Sequence, residues 1–301
     1  MFKKLALAVF LVLSVSSMAA EKITIIWGFS PAANQASFYR AMVAELNRAQ
    51  TRYEFAFDTK AGAGGAVAAR YILDNPKNTL LGGTSTFFIR PNFDKETGYA
   101  AESFQPVLVQ TLGAPVALYS TRFKTIDELK KATEITTGIS GYGSHSNLMA
   151  SILGEYYTGV RIINYVSLTD STKDVLGRHI NTGWNWVSDL EGAVDANLTN
   201  VLGLTGTRSV KGFPTLASQG IRGFENVSTN TVIVASAEMP AEKVRELYEL
   251  LRVANRAPDV QTGYARERSE PADFTWPQTT AWFNQQVRFW REQAAKVKPL
   301  Q

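Results

Sequence analysis

No cysteine occurs anywhere in the 301 residues. That absence removes disulfides, thiol catalysis, iron–sulfur ligation and lipid attachment through a cysteine. It also means that the fold stands without a covalent staple, even in an oxidising compartment. Histidine is almost as scarce, with only His145 and His179 present. Two separated histidines rule out H-E-x-x-H and clustered-histidine metal sites, and no calcium-loop pattern is visible. Charge of one sign is nowhere concentrated. Lys and Arg total 31 against 27 Asp and Glu, a net +4, and two of the positives, Lys3 and Lys4, lie in a leader-like segment. Without a basic block, nucleic acid is not expected as a partner. Beyond the first twenty residues there is no apolar run of the roughly 20 residues a bilayer span needs.

The leader itself reads MFKKLALAVFLVLSVSSMAA. It has a positive end, an apolar run from Leu5 to Val15, and small residues for cleavage after Ala19 or Ala20. This is the pattern of a secretory signal peptide over residues 1–20, and with no cysteine in the chain it points to a bacterial periplasm. Hydrophobic residues make up 45% and charged residues 19%, enough to bury a large core.

The mature part alternates strands and helices. Lys22–Trp27 reads as a buried strand, and Ala36–Asn47 as a helix with Phe38, Met42 and Leu46 on one face. Tyr53, Phe55 and Phe57 alternate as a second strand. A small-residue turn, AGAGG, then leads into a helix over 66–73, and TLLGGTS is a third strand. Strand, loop, helix and strand at this spacing predict an α/β fold with a parallel sheet. Further along, Thr125 and Glu128 form a capping box ahead of a short helix. EITTGI predicts a strand, and a helix with Leu148, Ile152 and Tyr156 on its apolar face follows. RIINYV and HINTGWNW read as strands around a helix, and FPTLASQGI as a short helix. Pro240 opens a long helix, and a closing helix carries Phe283, Val287, Trp290, Ala294 and Val297 in one stripe.

The glycine turn, Gly62-Ala63-Gly64-Gly65-Ala66-Val67, lacks the last glycine of the dinucleotide fingerprint and the lysine of a phosphate loop. It can be a simple positive-φ turn or an anion cradle. Two loops of the same kind, Phe29 to Gln35 and Ser140 to Ser146, share its position between a strand end and a helix start. In an open α/β sheet those ends lie on one edge, where ligands bind. Each helix start offers unpaired N–H groups and about half a positive charge. Ser30, Thr84, Ser85, Thr86, Ser140 and Ser144 add hydroxyls. None of the three loops holds an arginine, and Arg70 and Arg90 read as solvated, so neutral donors would hold a carboxylate reversibly.

Catalysis finds little support. GISGYGSHS lacks the glycine that a nucleophile elbow needs two residues after its serine. A secreted hydrolase or another carboxylate-modifying enzyme in the same cleft remains the rival reading. His145 either caps a helix start or touches ligand, and His179 reads as a surface residue. Trp184 and Trp186 either pack the core or wall a cleft, with Asn185 between them.

AGAGGAVAARYI, GISGYGSHSNLMASIL, FKTIDELKK, KGFPTLASQGIRGFE and FWREQAAKVK together resemble the substrate-binding receptors of tripartite tricarboxylate transporters, the Bug-type solute receptors. The resemblance covers nearly the whole mature chain. It implies a two-lobed periplasmic binding protein of type II, a Venus flytrap with two crossover connections near Leu118–Thr121 and Phe224–Thr229. Residues 21–118 and 225–301 would form lobe one, and 119–224 lobe two. It implies no enzyme activity, cofactor or metal. The expected ligand is a small carboxylate: a di- or tricarboxylate, an acidic amino acid or an aromatic acid. The expected partners are membrane permease subunits, or a sensor, with the receptor itself a monomer. By position, Phe29, Ser30, Ala32, Ala33, Ala63, Gly64, Gly65, Thr84, Ser85 and Thr86 would face the ligand from lobe one. Ser140, Gly141, Ser144, His145, Tyr165 and Asn185 would face it from lobe two. The chain departs from the family pattern where Pro31-Ala32-Ala33-Asn34 replaces P-G-G. It departs again where Asn164-Tyr165-Val166-Ser167 keeps only the tyrosine of PYKG, and where Asn185 stands for an aspartate.

Overall fold

The computed structural model describes residues 20–296. Residues 1–19 of the expected leader and Val297 of the closing stripe lie outside them. The first half of the chain runs β1 (Glu21–Trp27), α1 (Gln35–Ala49), β2 (Tyr53–Thr59), α2 (Ala66–Asp74), β3 (Thr79–Thr84), α3 (Thr86–Phe93) and β4 (Phe104–Ala114). It continues through β5 (Val116–Ser120), α4 (Ile126–Leu129), β6 (Ile135–Ile139), α5 (His145–Tyr156), β7 (Val160–Asn164), α6 (Leu168–Leu176), β8 (Thr182–Trp186) and α7 (Val187–Asp195). Then come β9 (Asn200–Leu204), β10 (Thr229–Ser236), α8 (Ala241–Asn255), α9 (Pro258–Arg266), β11 (Glu270–Pro271) and α10 (Trp276–Lys296).

These elements build two sheets, ordered β11-β4-β10-β3-β1-β2 and β7-β6-β8-β5-β9. β1 pairs in parallel with β2 and β3, and β6 with β7 and β8. The expected parallel sheet is therefore only partly correct. β10 runs antiparallel to β3 and β4, and β5 antiparallel to β8 and β9. Each is the strand that arrives from the other sheet, so it enters without a helical crossover and points the opposite way. The chain passes between the sheets at Pro115 and again between Leu204 and Thr229. At that crossing Thr205 N donates to Val116 O at 2.8 Å, and Val116 N to Thr205 Oγ1 at 3.0 Å.

The helical period of α1 buries Phe38, Met42 and Leu46 as read from the sequence. The Thr125 cap accepts from Glu128 N at 3.2 Å, while the Glu128 carboxylate reaches back to Lys124 N at 2.7 Å. Three helices escaped the sequence pattern. In α3 the residues from Thr86 to Arg90 are all buried, so no alternation between faces is left to read. Its Phe88 packs on Phe283 of α10 with ring centroids 5.3 Å apart. α7 and α9 were the other two. Conversely, FPTLASQGI forms only a 3-10 turn, Ala217–Gln219. Its backbone is spent on β9 instead, with Leu204 N donating to Pro214 O and Leu216 N to Leu204 O. Tyr156, expected on the apolar face of α5, is 43% exposed at the helix end, where its hydroxyl accepts from Arg222 N.

Candidate ligand cleft

The C-terminal ends of β1, β2 and β3 and the end of β6 meet where the two sheets face each other. Four consecutive residues of the glycine turn, Gly62 to Gly65, have positive φ. Three of them are glycines, as this backbone requires. A Cβ on Gly64 would stand 3.3 Å from Ser140 O, and one on Gly141 would stand 3.5 Å from Gly64 N. Two loops from opposite sheets thus touch backbone to backbone.

Arg90 corrects the sequence reading most directly. It is 7% exposed, not solvated. Its guanidinium pairs with Asp94 at 2.7 Å, donates to Thr97 Oγ1 at 3.1 Å, and reaches across to Tyr142 O at 2.6 Å. Pro91 follows within the same helix, so it does not push Arg90 outward. The long side chain finds its acceptors beneath the facing loop. Arg70 is half-buried and donates to Thr97 O at 2.7 Å.

One cleft is lined by Phe29, Ser30, Ala33, Thr84, Thr86, Ser140, His145 and Asn185 from the sequence-derived set. Gly64 and Gly65 line an adjoining hollow that shares Phe29 and Thr84 with it. The remaining candidates lie elsewhere. Ala32 and Ala63 are exposed, Ala32 with its N–H on Ser30 Oγ. Ser85 is buried and receives Asn230 N at 3.0 Å, tying the start of α3 to β10. Ser144 caps α5 by accepting from Asn147 N. Gly141 sits against the glycine turn. Tyr165 donates to Asp174 at 2.7 Å and packs beside Ile163 and Val175.

Several cleft residues were not foreseen. Ser146, in the first turn of α5, is the hub of a serine cluster. Its Oγ accepts from Ser140 N at 2.9 Å and lies 3.1 Å from Ser140 Oγ and 2.9 Å from Ser144 Oγ. Nothing local in the sequence marks such a hub. Ser167, Leu168 and Thr169 bring the start of α6 to the cleft, and Asp189 brings the first turn of α7. The amphipathic spacing of Val187, Leu190 and Val194 could have revealed α7, and Asp189 with it.

The two tryptophans divide between their alternatives. Trp184 is fully buried and stacks on Phe224 with centroids 5.6 Å apart, whereas Trp186 lines the cleft. The Asn185 amide is internally engaged, receiving Trp186 N at 2.9 Å and donating to Thr172 Oγ1 at 3.0 Å.

His145 is buried, and burial lowers its pKa to about 4. It is therefore neutral at physiological pH. Its Nδ1 lies 3.1 Å from Thr229 Oγ1, and the backbone N–H of His145 donates to Thr86 Oγ1 at 3.2 Å. The imidazole engages Thr229 and the Val227 backbone, and none of the three clustered serines. One buried nitrogen of a cleft residue, Trp186 Nε1, has no hydrogen-bond partner among the described residues. Among the described residues, no lysine or arginine lines the cleft, and Asp189 is its one carboxylate. Burial raises the Asp189 pKa to about 6, against the amide of Asn34, which donates to it at 2.6 Å.

The strand order, the paired crossings and a cleft between two sheets decide the comparison. The fold is that of the Bug-type periplasmic binding proteins. Periplasmic binding protein BugD shares 20% identity, with 92% of this chain and 97% of that one covered at a TM-score of 0.80. Rpa4515 of R. palustris, solved with adipate, shares 18% over 93% and 99% at 0.81. MatC of Rhodopseudomonas palustris, solved with malate, shares 16% over 92% and 100% at 0.80. No protein-family model and no curated protein matches the chain. Among the described residues, no helix of this periplasmic-binding-protein fold is long and apolar enough to cross a membrane, and no group of three or more His, Asp or Glu could hold a metal ion.

Proposed function

We propose that the chain is a secreted periplasmic receptor that closes over a small carboxylate and presents it to permease subunits of a tripartite tricarboxylate transporter, or to a sensor. One observation carries the reading: a cleft between two sheets, lined by hydroxyls and the first turns of α3, α5, α6 and α7, with no cationic side chain. Helix starts supply N–H donors and partial positive charge without the tight grip of an arginine. Such a site holds an acid and lets it go. The unpartnered Trp186 Nε1 gives it buried capacity for a further hydrogen bond.

The lobes would be those of the sequence reading, with the hinge moved to Pro115, because β5 lies wholly in the second sheet. Closure would be stabilised by contacts that both lobes make only together, such as Arg90 with Tyr142 and His145 with Thr86. The neighbours solved with adipate and malate make dicarboxylates natural first probes.

A thermal-shift screen of mono-, di-, tri- and aromatic carboxylates tests the reading. An acid present at about 100 times its Kd should add roughly 2.7 kcal/mol of stability. If no acid raises the melting temperature, the carboxylate reading fails. Mass spectrometry of the bound acid after incubation tests the absence of chemistry, since a receptor returns it unaltered.

A further inference from the structure

Asp189 is out of place in a cleft built for an anion. It stands in the first turn of α7, opens to the cleft, and is met on its other side by Asn34 Nδ2. Among the described residues, no lysine or arginine lines the cleft to neutralise it. The basic side chains of this region are engaged next door: Arg268 and Lys211 both pair with Glu191, at 2.9 and 3.2 Å. A dicarboxylate entering this space would bring two negative charges beside a third group that is itself ready to ionise. The remaining lining is neutral: hydroxyls, an amide, an uncharged imidazole and apolar side chains.

We infer that the captured acid carries an ammonium group, which Asp189 receives while the helix starts and hydroxyls take its carboxylate. This deepens the carboxylate reading and rests on it. A zwitterion satisfies every part of the lining at once. Its carboxylate meets neutral donors, and its nitrogen supplies the counter-charge that the protein withholds from Asp189. Desolvation then costs less, because a paired charge is buried in place of a lone one. The raised pKa of Asp189 fits a carboxyl group that lacks such a partner until ligand arrives.

The experiment compares acids matched in skeleton, using the full mature chain and calorimetry: propionate with alanine, succinate with aspartate, glutarate with glutamate. The amine-bearing member of at least one pair should bind at least tenfold more tightly than its partner. Asp189→Asn should abolish that preference and improve binding of the plain dicarboxylates, while Asp189→Glu, which keeps the charge, should retain it. Circular dichroism and melting of both variants verify that the fold persists. Plain acids binding as well as their amino counterparts would overturn the inference and leave the carboxylate reading intact. So would an undiminished preference in Asp189→Asn, which would reduce Asp189 to a helix-start residue. If no acid of either set binds, the carboxylate reading falls, and this inference falls with it.

Discussion

Ser188 Oγ lies 3.0 Å from Glu267 Oε1, although the two residues belong to different sheets' surroundings and stand 79 positions apart. The other oxygen of the same carboxyl receives Gln35 Nε2 at 2.5 Å. Beside them Asn34 bonds Asp189, Arg268 pairs with Glu191, and Arg208 donates to Arg268 O at 2.8 Å. The start of α7 is thus joined to the first sheet's side by a polar seam.

Glu267 should make stability depend on pH. Burial first, and then the charge of Asp189, raise its pKa from 4.5 to about 8. The folded chain keeps a proton that the unfolded chain gives up above about 4.5. Glu267 therefore contributes stability that is full below that value and lost as pH rises through about 8. Asp189, raised from 3.8 to about 6, acts in the same direction at lower pH. The loss between pH 6.5 and 8 is about 2 kcal/mol at most, at roughly 1.4 kcal/mol per pH unit. Urea unfolding across that range should show the decline, and Glu267→Gln should flatten it. A stability that is level or rising in the native chain there would refute the assignment.

His145 should act in the opposite sense. The folded chain refuses a proton that the unfolded chain accepts below 6.5, so stability is lost as pH falls from there towards 4. NMR of the imidazole at pH 5.5 should show His145 uncharged. A charged ring at that pH would mean that its pocket is wetter than its burial implies.

Replacing Arg90 with Met should destabilise the chain by about 3 kcal/mol, because Asp94 would keep a charge without its partner. Lysine should rescue this only in part, since it cannot serve Asp94, Thr97 and Tyr142 from one planar fork. Denaturant midpoints of the three proteins give the ranking, and equal midpoints would remove Arg90 from the loop contact.

Gly64→Val should weaken capture more than folding. The residue has φ 59°, and its new Cβ would press on Arg90 Nη1 and Ser140 O. The backbone penalty is about 1–2 kcal/mol, whereas closure would lose the close approach of the glycine turn to the Ser140 loop. Affinity for whichever acid the screen identifies should fall at least tenfold with only a modest drop in melting temperature. Unchanged affinity would show that the glycine turn plays no part in closing.

The parts of the fold that were legible in the sequence are those governed by local spacing. α1 announces itself through Phe38, Met42 and Leu46, and α4 through its Thr125 cap. The loops after β1 and β3 could be placed at one edge because strand polarity within a sheet dictates it. What stayed hidden depends on long-range partners, beginning with β6, which lies in the other sheet and whose loop reaches the cleft only because the two sheets face each other. The direction of β10 is set by its arrival from the other sheet. The burial of Arg90 is set by Tyr142, 52 positions away. Ser146 acquires its role from two other serines, and Asp189 from a helix whose apolar face is short.

The paired bonds between Thr205 and Val116 extend the β5–β9 edge of the second sheet right up to the point where the chain leaves it. On the far side Ala114 is already paired with Thr229 in the first sheet. Pro115 alone separates the two ladders, so the first passage has one residue of unpaired backbone in which to bend, and a proline there narrows the bend further.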